Sequence, residues 1–262
     1  MQKYGQHFLV NKGIISKIAD AVVSHTQGSL VEIGPGKGAL TVALLERGIN
    51  NFTAIEIDKD MVAHLKQNLP SYAEVNIIEG NFLNIPAAAL PEGDITFVSN
   101  LPYIDAAEIL LKVLDMPNFK AGVFMFQREQ AQRLLAKEET KQYGPLSVIF
   151  QAFAQAYSIC RVSPGSFNPP PKVDSEVLLV IPKNNNLFDN EEHKQNFKSI
   201  VKSVFAYRRK TVLNALSETY QKRKDDIIPF LNQSNIKVSA RAEELGPRKY
   251  VDLAKHLEGF IF

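Results

Sequence analysis

The sequence predicts an α/β fold in which a seven-stranded, mostly parallel sheet with an antiparallel edge pairing precedes a small all-helical C-terminal domain. Three observations carry that expectation. Short apolar, β-rich runs alternate with stretches of helical spacing as far as residue 182, the pattern of a parallel sheet covered by helices. A strand, a glycine turn and a helix follow one another early in the chain, and a second strand ends in carboxylates about 20 residues later. Past residue 183 only helical spacing remains.

At 262 residues the chain has room for one large domain and one small one. Its 45% apolar and 22% charged residues suit a soluble protein with a full core. Cys160 is the single cysteine, so an internal disulfide is ruled out and nothing implies secretion. The first seven residues lack the apolar core of a signal peptide, and no uncharged apolar run nears membrane-spanning length. A cytoplasmic monomer without membrane contact is expected. The net charge of +2 is unevenly spread: residues 1–182 carry 15 Lys and Arg against 18 Asp and Glu, and residues 183–262 carry 15 against 10. A basic tail hints at a polyanionic partner.

Residues 2–11 form a polar and aromatic lead-in ending in Gln6-His7-Phe8-Leu9. Ile14, Ile15, Ile18, Ala21 and Val22 then mark a helix over residues 12–25. His7 has no second His or Cys nearby, which favours packing or hydrogen bonding over metal binding. Ser29 to Ile33 reads as a strand, Gly34-Pro35-Gly36-Lys37-Gly38 as a turn and Ala39 to Leu45 as a helix. Such glycines let the backbone approach a ligand at a helix N-terminus. The second strand, Phe52 to Asp58, brings Glu56 to the position of an acid that accepts hydrogen bonds from ribose hydroxyls. The loop alone does not separate a nicotinamide dinucleotide from S-adenosylmethionine. A helical segment, Lys59 to Leu69, leads to the strand Val75 to Glu79. Asn81 follows, placed either to read an adenine edge or to make an Asn turn.

The fourth strand, Asp94 to Ser99, is the central one, and it ends abruptly in Asn100-Leu101-Pro102-Tyr103. Pro102 provides no ladder donor and pushes Leu101 toward an extended conformation, so the Leu101 carbonyl takes a definite direction. The Asn100 side-chain carbonyl, the Leu101 carbonyl and the Tyr103 ring suit a planar, amine-bearing ligand such as a nucleobase; an Asn/Pro turn is the plainer alternative. A helix over Ile104 to Leu114, a strand over Ala121 to Phe126 and a helix over Arg128 to Ala136 come next. Tyr143-Gly144-Pro145 breaks the chain, and a further helix runs from Leu146. Strands over Gln155 to Val162 and Ser175 to Ile181 close the sheet.

Between those last strands lies Phe167-Asn168-Pro169-Pro170-Pro171-Lys172. It reads as a polyproline spacer, or as a stiff mount that holds Phe167 for stacking on a base. Pro182 to Asn186 is the expected boundary between domains 1–183 and 184–262. Helices are expected over Glu191 to Ala206, Lys210 to Leu216, Asp225 to Asn232 and Pro247 to Leu257. The run Tyr207-Arg208-Arg209-Lys210 is either a solvated face or a phosphate contact. No internal repeat, low-complexity tract or zinc-ligand spacing is evident.

Taken together, these motifs resemble the rRNA adenine N6,N6-dimethyltransferase family over nearly the whole chain. The resemblance rests on Gln6-His7-Phe8-Leu9, Val31-Glu32-Ile33-Gly34-Pro35-Gly36, Glu56-Ile57-Asp58, Asn100-Leu101-Pro102-Tyr103 and Phe126-Gln127-Arg128-Glu129. Tyr143-Gly144-Pro145-Leu146-Ser147, the proline motif, Arg208-Arg209-Lys210-Thr211 and Arg241-Ala242-Glu243-Glu244-Leu245 complete it. The proline and tail motifs are similar to the kasugamycin-sensitivity (KsgA) branch rather than the macrolide-resistance branch. The resemblance implies a class I, Rossmann-like methyltransferase fold, S-adenosylmethionine as cofactor and a hairpin of small-subunit rRNA as partner. It implies that His7, Leu9, Gly34, Glu56, Asn81 and Asn100 border the cofactor, with Asn81 accepting from the cofactor's adenine amine. Asn100, Leu101, Pro102 and Tyr103 would hold the target base against Phe167 on its other face, and Lys172, Arg208, Arg209 and Lys210 would contact RNA. No metal is expected. The family often has Asn where His7 stands and usually Asp where Asn81 stands. A non-catalytic RNA-binding assembly factor and a nicotinamide oxidoreductase are the competing readings.

Overall fold

The computed structural model describes residues 6–183 and 187–261, so the expected boundary residues Asn184, Asn185 and Asn186 lie outside the described residues. In chain order come β1 (Phe8–Leu9), α1 (Lys12–His25), β2 (Ser29–Ile33), α2 (Ala39–Leu45), β3 (Asn51–Glu56), α3 (Lys59–Asn68) and β4 (Glu74–Glu79). β5 (Ile95–Asn100), α4 (Ala106–Leu114), β6 (Phe119–Gln127), α5 (Arg128–Leu134), α6 (Pro145–Phe153), β7 (Ala154–Val162), β8 (Phe167–Asn168) and β9 (Ser175–Pro182) follow. The tail holds α7 (Glu191–Ala206), α8 (Val212–Tyr220), α9 (Lys224–Gln233) and α10 (Pro247–His256).

Seven strands form one sheet in the order β4-β3-β2-β5-β6-β9-β7. The first five are parallel, and β9 runs antiparallel to both β6 and β7. The reversed strand therefore sits one place in from the edge. β5 is flanked by β2 and β6 and is buried from Ile95 to Ser99, because helices cover both faces of a parallel sheet and leave no polar side to alternate with. The strand order reverses between β2 and β5, and an open α/β sheet forms its crevice at the carboxyl ends of the strands at such a point.

Local chemistry starts and stops these elements. Asn11 caps α1 by accepting from the Ile14 N–H at 3.1 Å, and Ile15, Ile18, Ala19 and Val22 give the helix its buried face. Gly38 opens α2 with φ +81°, where an added Cβ would lie 2.7 Å from Leu65 Cδ2.

The chain divides into two compact units: Met1–Ala131 with Ala154–Pro182, and Gln132–Phe153 with Lys183–Phe262. The sequence reading assigns residues 132–153 to the first domain, whereas their contacts place them with the tail helices. The reason is aromatic and polar anchoring inside the second unit. The buried Tyr143 hydroxyl donates to the Leu245 carbonyl at 3.0 Å, and its ring lies 6.3 Å from that of Phe205. Phe153 stacks on Phe188 at 5.1 Å and meets Phe197 edge-on. His193, also buried, donates from Nε2 to the Val251 carbonyl at 2.9 Å and accepts at Nδ1 from the Asp189 N–H. Among the described residues, no helix is long and apolar enough to cross a membrane.

Replacing Tyr143 with Phe keeps the packing and strands a buried carbonyl. Urea titration is expected to show a loss of about 1–2 kcal/mol for this variant.

Candidate active site

A cavity of about 210 Å³ opens at the carboxyl ends of β2, β3 and β5. The glycine turn forms one wall. Gly34 lines the cavity with φ +68°, and a Cβ added there would meet nothing within 4 Å, so the backbone itself is the surface offered to a ligand. Gly36, at φ +56°, lies so close to the Phe8 ring that a Cβ would fall 3.0 Å from it. Glu56, at the end of β3, steadies this wall: its carboxylate accepts from the Gly36 N–H and from the Asp58 N–H, both at 2.9 Å. Burial raises the Glu56 pKa above the usual carboxylate value.

The loop after β5 forms the opposite wall. The Asn100 amide Nδ2 donates to the His7 carbonyl at 3.1 Å, which leaves Oδ1 as the side chain's remaining polar atom. The Leu101 N–H donates to the Met125 carbonyl, so β6 holds the backbone at that point. The Tyr103 hydroxyl and Ser175 Oγ are 2.8 Å apart, and this bond fixes an aromatic ring on the cavity wall. The Tyr103 and His7 rings are 5.7 Å apart and tilted by 31°. His7 donates from Nδ1 to the Pro169 carbonyl at 2.8 Å, because a carbonyl can only accept.

The structure thus brings His7, Leu9, Gly34, Glu56, Asn100, Leu101, Pro102 and Tyr103 onto one cavity. Two expected site residues are elsewhere. Asn81 does not line the cavity; its Oδ1 caps a short turn by accepting from the Leu83 N–H at 2.9 Å, so the carbonyl expected to face an adenine amine already has a partner. That turn is held from outside by Lys112, whose Nζ donates to the carbonyls of Phe82, Leu83 and Ile85. Phe167 is 4% exposed and packs in the core with Leu9, Ile15 and Val177. The short β1–β8 ladder pairs Phe167 with the cavity-lining Leu9, although Phe167 itself is not among the lining residues.

That ladder is absent from the sequence reading. β1 and β8 are two residues each, too short for any periodicity to register. Glu32 is a second feature beyond that reading. It lines the cavity while fully enclosed, accepts from the Thr41 hydroxyl at 2.7 Å, and has its pKa pushed up to about 7, chiefly by burial. The signal for it is an acid inside the otherwise apolar run Leu30-Val31-Glu32-Ile33. Neither Glu32 nor Glu56 has a cationic side-chain partner among the described residues. Two buried carboxylates, an open glycine wall and a free amide oxygen fit a ligand that carries hydroxyls and positive charge, as S-adenosylmethionine does. No group of three or more His, Cys, Asp and Glu able to hold a metal occurs among the described residues.

The four cations expected on RNA differ in their surroundings. Lys172 and Arg209 are exposed. Arg208 is spent on the Thr140 and Lys141 carbonyls and on Glu243, and Lys210 pairs with Glu218 at 2.9 Å.

A family model described as ribosomal RNA adenine dimethylase matches residues 1–258. The chain is 36% identical over 252 residues to a protein named ribosomal RNA small subunit methyltransferase A from Xanthomonas euvesicatoria, covering 95% of this chain and 93% of that one. The relative of the same name from Xanthomonas axonopodis is also 36% identical, over 253 residues. Among solved structures, a dimethyladenosine transferase from Plasmodium falciparum superposes with a TM-score of 0.80 at 28% identity over 96% of this chain and 97% of that one. The 23S rRNA methyltransferase ErmE shares the fold, with a TM-score of 0.69 at 22% identity over 96% of this chain and 99% of its own.

Glu32 makes stability depend on pH. A carboxyl whose folded-state pKa is raised to about 7 holds its proton better folded than unfolded. Its contribution is therefore full below the unfolded value and is lost as pH rises through about 7. Glu32→Gln, which can still accept from Thr41, is expected to flatten the fall in melting temperature between about pH 5 and pH 8 in calorimetric scans.

Proposed function

The chain belongs to the ribosomal RNA adenine dimethylase family, and from that membership we propose that it transfers methyl groups from S-adenosylmethionine to the exocyclic amines of two adjacent adenosines, giving N6,N6-dimethyladenosines. The proposed substrate is a hairpin near the 3′ end of small-subunit rRNA, with an accompanying role in small-subunit biogenesis. The relatives named for the small subunit support that choice, and the ribosomal substrate supports a cytoplasmic setting. We take the working form to be a monomer without membrane contact. In this reading residues 1–183 supply the catalytic domain and residues 184–262 the RNA-binding domain, with residues 132–153 built into the latter's packing.

S-adenosylmethionine, when bound, supplies a methyl group already activated on a sulfonium. His7, Leu9, Gly34, Glu56, Asn81 and Asn100 would hold it, Glu56 through acceptor positions left over from its backbone bonds. The harder partner is adenine, whose exocyclic nitrogen shares its lone pair with the ring. Asn100 Oδ1 and the Leu101 carbonyl would accept the two amine hydrogens and favour a pyramidal nitrogen with its lone pair directed outward. The Tyr103 ring, anchored on Ser175, gives the extruded base one aromatic face. Phe167, paired with the cavity-lining Leu9 across the β1–β8 ladder, is the proposed second face. Asn81 Oδ1 caps the turn through the Leu83 N–H and keeps a second lone pair, with which it would accept from the cofactor's adenine amine. One observation carries the reading: one hydrogen of the Asn100 amide is donated to the His7 carbonyl, which orients the side chain and leaves its Oδ1 as an acceptor on the cavity wall that also carries Tyr103.

Tritiated methyl transfer to unmethylated small subunits, large subunits and naked RNA, followed by nucleoside analysis, tests it. Wild-type protein is expected to yield dimethyladenosine in small-subunit RNA. Asn100→Ala should lose on the order of 100-fold in rate with an unchanged circular dichroism spectrum. Label confined to large-subunit RNA would remove the small-subunit assignment. A second experiment separates the cations. Arg209→Glu should weaken RNA binding and flatten its salt dependence by about one phosphate's worth, whereas Arg208→Glu should chiefly lower stability, because Arg208 already has protein partners.

A further inference from the structure

We infer that Ile104 is an unstacking wedge: an apolar side chain, held rigidly outside the cavity mouth, that enters the RNA base stack beside the adenosine drawn inside. The inference rests on the adenosine-methylation reading above and adds to it a residue that acts on the neighbours of the target base.

Ile104 is 86% exposed, the highest value for any large apolar residue among those described. A lone exposed isoleucine needs no explanation; its position supplies one. The Pro102 carbonyl accepts from the Asp105 N–H at 3.2 Å, so residues 102–105 close a tight turn with Tyr103 and Ile104 at its centre. Tyr103 lines the cavity while Ile104 stands in solvent. The turn is stiff on both sides. Pro102 fixes one backbone angle, the Tyr103 hydroxyl is tied to Ser175, and Asp105 begins the approach to α4. A β-branched side chain at the tip has few rotamers to lose on contact.

The surroundings match the same use. Val173, 45% exposed, lies two residues before the Ser175 that anchors Tyr103, and the exposed Lys172 precedes it. Val10, 52% exposed, lines the cavity itself. Exposed aliphatic side chains therefore come from three segments tied to the cavity: the turn that carries Tyr103, the lead-in that lines the cavity, and the stretch that leads to Ser175, where the exposed Lys172 supplies a cation. Enzymes that act on a base must take it out of its stack, and apolar wedges inserted between base steps are a recurring means of holding the stack open. Isoleucine carries no hydrogen-bonding group, so it acts on stacking and not on sequence.

The test uses full-length protein, tritiated S-adenosylmethionine and two hairpin RNAs. One has 2-aminopurine stacked beside the target adenosine, and the other has an abasic site at that position, so that nothing there needs unstacking. On the stacked hairpin, Ile104→Ala should lose about tenfold in kcat/KM and lose the fluorescence rise that wild-type binding produces; on the abasic hairpin it should come within about twofold of wild type. Ile104→Leu should retain both signals, and S-adenosylmethionine affinity should not change in either variant. Equal losses on both hairpins would make Ile104 a packing residue, and no loss on either would make it an ordinary exposed side chain; each result overturns the wedge alone. Wild-type protein that transfers no methyl to either hairpin or to unmethylated small subunits overturns the reading beneath it as well.

Discussion

The Asn100 side chain gives one amide hydrogen to the His7 carbonyl, 93 residues earlier in the chain. The end of the central strand and the start of the chain are thereby joined at one edge of the cavity. The bond orients the amide, and orientation matters more than presence, because an amide turned the other way would offer a donor where an acceptor is needed. His7 is itself fixed, through Nδ1 on the Pro169 carbonyl and through the β1–β8 ladder that follows it. Three segments distant in sequence thus set the direction of one oxygen atom. Preorganisation of this kind moves the ordering cost from the reaction to folding.

Electrostatics on the other wall complement that acceptor. Glu32 and Glu56 are enclosed carboxylates whose pKa values burial raises, and neither is matched by a cationic side chain among the described residues. Such groups are unfavourable for the empty fold and favourable for a cationic ligand, so the site is built at some expense to stability. The glycine turn allows the close approach. Gly34 presents bare backbone to the cavity, while Gly36 and Gly38 are packed against Phe8 and Leu65.

The second unit shows how a surface motif can be absorbed into structure. Arg208 and Lys210 belong to a cationic run that reads as a phosphate contact, yet each is bonded inside the unit. Arg209 and Lys210 are the exposed members of the run, and Lys210 is paired with Glu218. Residues 132–153 join this unit because Tyr143 and Phe153 find their hydrogen-bond and ring partners among its helices.

Periodicity, glycine and proline were sufficient to read the seven sheet strands, the tail helices and the glycine and Asn100 loops from the chain alone, because each is decided by neighbours a few residues away. The spacing from Gly36 to Glu56 also follows from one βαβ unit, and the structure joins the two by a hydrogen bond. Only the tertiary structure decided which residues meet. It buried Phe167 by pairing β8 with β1, committed the Asn81 carbonyl to a turn, enclosed Glu32 beside the cavity, and assigned residues 132–153 to the helical unit. Each of these depends on a partner more than a helical turn away or on competition for a hydrogen-bond acceptor. A short local pattern carries no information about which long-range contact wins.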